Sequence, residues 1–198
     1  MNVAVLDLGA GNLHSIARAL AACGATPRIE SDPDRALAAD ALVLPGVGAF
    51  GAAASRLEPA REALRAALVQ GLPCLGICLG MQLLFEGSDE GDGQGIGLLP
   101  GRVRRLVARR APHMGWNSLA GEDDALFTAA PLETAYFAHT FVAPAGDARS
   151  VIAWSEHEGD RFPAAVRIGR TVGVQFHPEK SSRAGVAFVG AWLAEAGR

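Results

Sequence analysis

The sequence predicts one α/β domain over residues 1–198, with a mostly parallel central sheet flanked by helices and antiparallel β-hairpins in its C-terminal half. Three observations carry that expectation. In the first half, short and nearly all-apolar runs alternate with amphipathic stretches, as parallel strands covered on both faces require. From Val103 onward the apolar runs follow at short intervals with turn residues between them, which points to hairpins. No internal repeat, low-complexity tract or Pro-, Gly- and Ser-rich linker divides the chain.

Taken in order, Asn2 to Leu8 is an apolar run closed by Gly9, the grammar of a buried strand. Leu13, Ile16, Ala17, Leu20 and Cys23 then recur at helical spacing before Gly24 stops the pattern. Ala41 to Leu44 is a second buried strand running into the loop PGVGAFG, and a helix is expected over Ala60 to Gln70, ended by Gly71. Pro73 to Ile77 is another buried run. After Cys78 a short helix carries Met81, Leu83, Leu84 and Phe85, and Gly87 to Gly97 reads as a polar loop. Strands are expected at Val103 to Ala108, Ala135 to Ala143, Val151 to Trp154, Ala164 to Ile168 and Thr171 to Phe176. Ala184 to Ala196 closes as an amphipathic helix with Val186, Val189 and Leu193 on one stripe.

Composition excludes several classes. Of 198 residues 49% are hydrophobic and 20% charged, which fits a folding globular chain and not a disordered one. A net charge of −3 provides no sequence-wide basic field, so no nucleic-acid partner is expected. Three cysteines, Cys23, Cys74 and Cys78, make no disulfide framework, and a reducing cytoplasm is the expected location. Asp7 interrupts the first apolar run and no basic segment precedes it, so neither a signal peptide nor a membrane span is expected.

The strongest local signal is GICLG, Gly76 to Gly80, at the junction of a buried strand and a helical pattern. Glycines around a nucleophile permit a sharp strand-to-helix turn that lifts the side chain clear of the sheet. Cys78 would sit at a helix N-terminus, where the dipole and free amides favour thiolate, and Leu79 would offer its N–H to an oxyanion. The alternative is a small buried hydrophobe, which is the expectation for Cys74. A thiol nucleophile needs a base and a group to orient it. His177 ends the apolar run TVGVQF, and Glu179, two residues on, can fall on the same side of an extended segment. The other H-x-E-like segment, EHE at Glu156 to Glu158, is assigned to a solvated loop. Pro45-Gly46-Val47-Gly48 follows a buried strand and could bring backbone N–H groups to the same sheet edge. Gly9-Ala10-Gly11-Asn12 lacks the third glycine of a dinucleotide fingerprint, because His14 occupies it, and no acid is expected to close a second strand about 20 residues on. Cys74 and Cys78 lack a second Cys or His pair, so no metal is expected.

PGVG, GICLGMQLLFE and GVQFHPEKS, in this order and spanning most of the chain, resemble the triad (class I) glutamine amidotransferases. The resemblance implies that family's fold and no cofactor. It also implies Cys78 as nucleophile towards the glutamine side-chain amide, His177 as acid and base, and Glu179 as the group orienting His177. Gly46, Val47, Gly48 and Leu79 would border the oxyanion hole, and Gln82, Glu90, Thr140 and Phe141 would hold glutamine. Members often carry Tyr where Phe141 stands, a change of little consequence if the contact is through backbone. DLGAGN (Asp7 to Asn12), PHMGWN (Pro112 to Asn117), YFAHTF (Tyr136 to Phe141) and HPEKS further resemble the branch serving imidazole glycerol phosphate synthase. That branch implies a separate (β/α)8-barrel cyclase as heterodimer partner, with Asn12, Trp116 and Lys180 towards the interface. Taken without the resemblance, PHMGWN reads as a β-turn with a core Trp, and Lys180 as a solvated charge. Two alternatives remain: a triad glutaminase subunit for pyridoxal phosphate, anthranilate or GMP synthesis, and a non-catalytic module of the same fold.

Overall fold

The computed structural model describes residues 1–9, 11–121, 124–146 and 148–198; Ala10 of the DLGAGN segment lies outside them. The first half runs β1 (Asn2–Leu6), α1 (Leu13–Ala22), β2 (Thr26–Glu30), α2 (Pro33–Leu37), β3 (Ala41–Leu44), α3 (Phe50–Leu57), α4 (Arg61–Val69), β4 (Cys74–Ile77) and α5 (Leu79–Gln82). The second adds β5 (Gly87–Ser88), β6 (Arg102–Arg105), β7 (His113–Ser118), α6 (Ala125–Ala129), β8 (Thr134–His139), β9 (Phe141–Val142), β10 (Val151–His157), β11 (Asp160–Ile168), β12 (Thr171–Val174) and α7 (Ser182–Ala196).

Among the described residues seven strands form one sheet in the order β10-β11-β12-β4-β3-β1-β2, parallel from β12 to β2 and antiparallel from β10 to β12. Burial on both faces explains the nearly continuous apolar strands. Along β1, Val3 and Val5 join the core layer holding Ile16 and Leu20 of α1 and Phe188 and Trp192 of α7. Ala4 and Leu6 point the other way, towards Leu57 of α3 and Leu64 and Leu68 of α4. The two-residue alternation of a strand thus divides one apolar run between two cores.

Several expectations are corrected. Residues 26–37, to which the sequence reading assigned no element, form β2 and α2. TPRIE hides its strand behind Pro27, Arg28 and Glu30, tolerated because β2 is an edge with one neighbour. Glu30 therefore does close a second strand, about 20 residues after the first glycine loop, but its carboxylate pairs with Arg35 at 3.3 Å. The loop after β3 ends sooner than PGVGAFG suggests, and α3 (Phe50–Leu57) stands where no helix is expected before Ala60. The alternative for PHMGWN without the resemblance, a turn around a core Trp, does not hold: residues 113–117 lie on β7, paired with β8, and Trp116 is 55% exposed. EHE is not a loop either, since Glu156 and His157 end β10 and only Glu158 of the three stands in the turn, with Gly159. The antiparallel pairs expected in the C-terminal half are present, β7 with β8 and β11 with β10 and β12, and β12 also returns to pair in parallel with β4.

That return positions the site. Val174 pairs with Ile77, so the residues following β12 and β4 emerge side by side at the carboxyl edge of neighbouring parallel strands.

Candidate active site

Cys78 stands between β4 and α5 with φ +54° and ψ −106°, a region that non-glycine residues enter only when their surroundings impose it. Its N–H donates to Val174 O at 2.7 Å, tying the bend to β12. The flanking glycines serve a different purpose from the one expected of them. Neither is among the positive-φ residues; both are needed for close approach. A Cβ on Gly76 would lie 2.8 Å from Gly80 O, and one on Gly80 would overlap the Leu44 carbonyl of β3. The bend is therefore wedged between the two strands.

His177 is carried three residues beyond β12. Its N–H donates to Tyr136 O at 2.8 Å, and its carbonyl accepts from Ser181 Oγ at 2.7 Å. Ser181 Oγ also accepts from Tyr136 N–H at 2.9 Å, so one buried hydroxyl fixes both segments. His177 Nδ1 lies 2.9 Å from Glu179 Oε1, with the side chains 3% and 5% exposed. A 3-10 turn over Pro178–Lys180 delivers Glu179 to that contact. Burial alone would push the His177 imidazole down, but its interactions with Cys78 and Glu179 outweigh this and raise its pKa to about 9. His177 Nε2 is buried without a hydrogen-bond partner, the state of a ring nitrogen reserved for a transferred proton.

A cleft of about 180 Å³ opens over Cys78 and is lined by Val47, Gly48, Leu79, Gln82, Glu90, Thr140 and Phe141. The family resemblance implies oxyanion or glutamine contacts for all seven. Gly46, the eighth, is buried behind the wall, where a Cβ would come within 2.8 Å of the Leu79 Cβ. Glu90 also supports a helix, because its Oε2 accepts from Phe50 N–H at 2.7 Å and so caps α3, which has no side-chain cap of its own. A wider cleft of about 260 Å³ beside β1 and β2, among Arg28, Glu30 and Arg35, lies apart from these residues.

Three side chains at the site went unnoticed in the sequence. Gln175 Nε2 lies 3.5 Å from Cys78 Sγ, and a glutamine inside the apolar run TVGVQF was the available signal. His139 and His113 are buried and joined to each other at 3.0 Å. Burial, with the neighbouring histidines, lowers His139 to about 3 and His113 to about 4, so both stay neutral. The remaining assigned residues lie nearby at the same edge. Lys180 Nζ is 5.8 Å from the centre of the Tyr136 ring, and the Trp116 ring lies 6.4 Å from the same ring. Asn12 caps α1 by accepting from Ser15 N–H, and a Cβ on the adjacent Gly11 would stand 4.0 Å from Val47 N.

A bent strand-to-helix cysteine beside a buried His–Glu pair is the equipment of acyl transfer through a thioester. Residues 4–190 match the model of the family described as glutamine amidotransferase class-I. The chain belongs to that family. Class-I amidotransferase relatives of high similarity include two proteins named imidazole glycerol phosphate synthase subunit HisH. The one from Corynebacterium diphtheriae is 42% identical, over 96% of this chain and 97% of its own. The one from Methanothermobacter thermautotrophicus is 46% identical over 93% of each. Among solved structures, a glutamine amidotransferase superposes with a TM-score of 0.71 at 19% identity, covering 99% of both chains. PurLQS from Thermotoga maritima does so with 0.73 at 21%, covering 98% of this chain and 97% of the other. These two bear on the fold alone.

Proposed function

We propose that this chain is the glutaminase subunit of imidazole glycerol phosphate synthase and works as one domain. It releases ammonia from glutamine for a separate barrel cyclase, which makes imidazole glycerol phosphate and an aminoimidazole carboxamide ribotide in histidine biosynthesis. The observation that carries the chemistry is the convergence of Cys78 with the His177–Glu179 pair at adjacent strand ends beside the cleft. The relatives named HisH support the choice of synthase. The cytoplasm is the proposed location, in keeping with three cysteines that are all free thiols, and no described helix is long and apolar enough to cross a membrane.

The Cys78 sulfur attacks the side-chain carbonyl carbon of glutamine, and the oxygen becomes an anion held by backbone N–H groups of Leu79 and the Val47–Gly48 segment. Protonated His177 gives its proton to the departing nitrogen, leaving a γ-glutamyl thioester and ammonia. Neutral His177 then takes a proton from water, which attacks the thioester carbonyl. Collapse of that second intermediate expels the sulfur and releases glutamate. Glu179 keeps the imidazole in the orientation that presents Nε2 to the sulfur. Gln82, Glu90, Thr140 and Phe141 seat the amino acid, and the Asn12, Trp116 and Lys180 side faces the cyclase.

The test is glutamate release by the purified chain, alone and with a barrel cyclase and its ribotide ligand. Glutamine hydrolysis stimulated by that partner is the expected result. No hydrolysis under any of these conditions would overturn the proposal.

A further inference from the structure

We infer that Gln175 is a further catalytic residue that donates a hydrogen bond to the Cys78 sulfur, with the Gln82 amide holding it in that sense and a histidine arm rooted at Asn117, beside Trp116, positioning the Phe141 carbonyl on which Gln82 rests. The inference rests on the reading of Cys78 as the nucleophile.

Gln175 is fully buried, so both ends of its amide must find partners. Its Oε1 accepts from Gln82 Nε2 at 3.1 Å, which leaves the nitrogen facing Sγ at 3.5 Å. The sense of the Gln82 amide is fixed in turn, because its nitrogen also donates to Phe141 O at 2.9 Å. A second arm reaches the same carbonyl. Asn117 Oδ1 accepts from Ser118 N–H at 2.8 Å, so its nitrogen must be the end that reaches Glu156 O at 2.7 Å and His113 Nε2 at 3.2 Å. His113 Nε2 therefore accepts, and its proton sits on Nδ1, from which it is donated to His139 Nε2 at 3.0 Å. The His139 proton is left on Nδ1 and goes to Phe141 O at 3.1 Å. Every donor and acceptor is assigned without conflict, provided both imidazoles are neutral, as burial keeps them.

The contact suits a sulfur that changes charge. As a thiol, Cys78 points its proton at Ala138 O, a loose contact of 3.8 Å. As a thiolate it can only accept, and the Gln175 N–H supplies a charge-assisted bond with no proton changing hands. The same donor is available when the thioester collapses and the sulfur leaves with its electron pair. His139 and His113 are positioning residues that act through the Phe141 carbonyl.

The experiment follows alkylation of the full chain by iodoacetamide against pH, read on the Cys78 peptide by mass spectrometry to separate it from Cys23 and Cys74. His177, with Glu179 behind it, faces Cys78, Glu90 lines the same cleft, and His139 and His113 stay neutral, so a change confined to the Gln175 variant reports the sulfur's own surroundings. Gln175→Met, of similar length and without a donor, should lower the neutral-pH rate about ten-fold and move the midpoint upward by about one unit. His139→Asn, whose amide can stand in for Nδ1–H, should react more like wild type than His139→Gln, whose amide reaches only the Nε2 position. A folded Gln175→Met protein with the wild-type profile would overturn the inference. If that variant does not fold, the side-chain amide resonance of Gln175 in the wild-type chain replaces it. That signal should move with the alkylation midpoint, and a signal flat through it would be equally fatal. Alkylation needs no glutamine, so this outcome is separate from whether the chain hydrolyses glutamine.

Discussion

At neutral pH His177 is protonated while His113 and His139, on the two strands beside it, are not, and the three leave opposite marks on stability. The His177 pKa is raised from 6.5 to about 9, so the folded state binds more protons between those values. The stabilisation it contributes is complete below about 6.5 and is lost as pH rises through about 9. His113 and His139 are depressed to about 4 and about 3, so there the unfolded state binds more protons. Their contribution is present above about 6.5 and is lost as pH falls towards 3. Thermal midpoints measured against pH should therefore peak near 6.5, with Cys78→Ala flattening the alkaline limb and His139→Asn the acid limb. A Cys78→Ala protein that keeps the full alkaline fall would contradict the assigned coupling. The same variant should lose glutamine hydrolysis by roughly six orders of magnitude while remaining folded, since removal of a nucleophile costs about that much in comparable enzymes. By contrast, Cys74 is fully buried, and desolvation raises its thiol pKa, so Cys74→Ala should affect packing more than chemistry. Cys78, His177 and Glu179 were legible because each stands at a break in an apolar pattern. Gln175, His113 and His139 were not, because hydrogen bonding across strands distant in sequence leaves no local spacing to read.

At the scale of elements, the bend at Cys78 depends on how closely β3, β4 and α5 approach one another. Gly80 lies against the Leu44 carbonyl, so Gly80→Ala must push α5 off the sheet or break the β3 edge. Overpacking against backbone costs about 1–3 kcal/mol or more, and neither neighbour is a flexible side chain that could give way. Chemical denaturation should show at least that loss, with hydrolysis falling further than stability because the bend carries the nucleophile. A Gly80→Ala protein of wild-type stability would show that the wedge is softer than drawn. Glu90 offers a second element-level test. As the distant cap of α3 it should contribute about 1 kcal/mol, measurable in Glu90→Ala apart from any change in glutamine affinity. Among the elements legible in the sequence, β1, α1, β3, β4 and α7 are buried on both faces of the sheet or along one helical stripe. Not legible there were β2 and α2 at the sheet edge, where one-sided burial leaves charged residues in the strand, and the whole of α3, whose start is hidden by the glycines of PGVGAFG. The strand β7 was hidden for the same reason: it pairs with β8 outside the main sheet and exposes Trp116, so its apolar side chains do not mark a core.

At the scale of the whole molecule, the cleft, the Trp116–Tyr136–Lys180 surface and the Val47–Gly48 segment share one edge of the sheet, which bears on how a partner would act. A lone glutaminase would waste glutamine, and Gly48, at φ +110°, sits in a segment whose peptide planes can turn at little steric cost. The isolated chain should therefore hydrolyse glutamine slowly, with cyclase and ligand shifting the population towards the orientation that presents N–H to the oxyanion. Steady-state rates for the lone chain that equal those of the liganded complex would remove this account. If the chain contributes ammonia and nothing else, every bond made to the ribotide forms on the cyclase. Given an ammonium salt at alkaline pH, where free amine is plentiful, the cyclase should then make imidazole glycerol phosphate without Cys78. The complex carrying Cys78→Ala should lose glutamine-dependent synthesis and keep ammonia-dependent synthesis. Changes at Trp116 or Lys180 should act elsewhere, lowering glutamine-dependent synthesis through weaker assembly or poorer stimulation while Cys78 stays open to alkylation. Product formation from both nitrogen sources, measured for wild type and Cys78→Ala with assembly checked by size-exclusion chromatography, separates the cases. An assembled Cys78→Ala complex that fails with both glutamine and ammonium would mean that this chain takes part in the ring-forming chemistry itself.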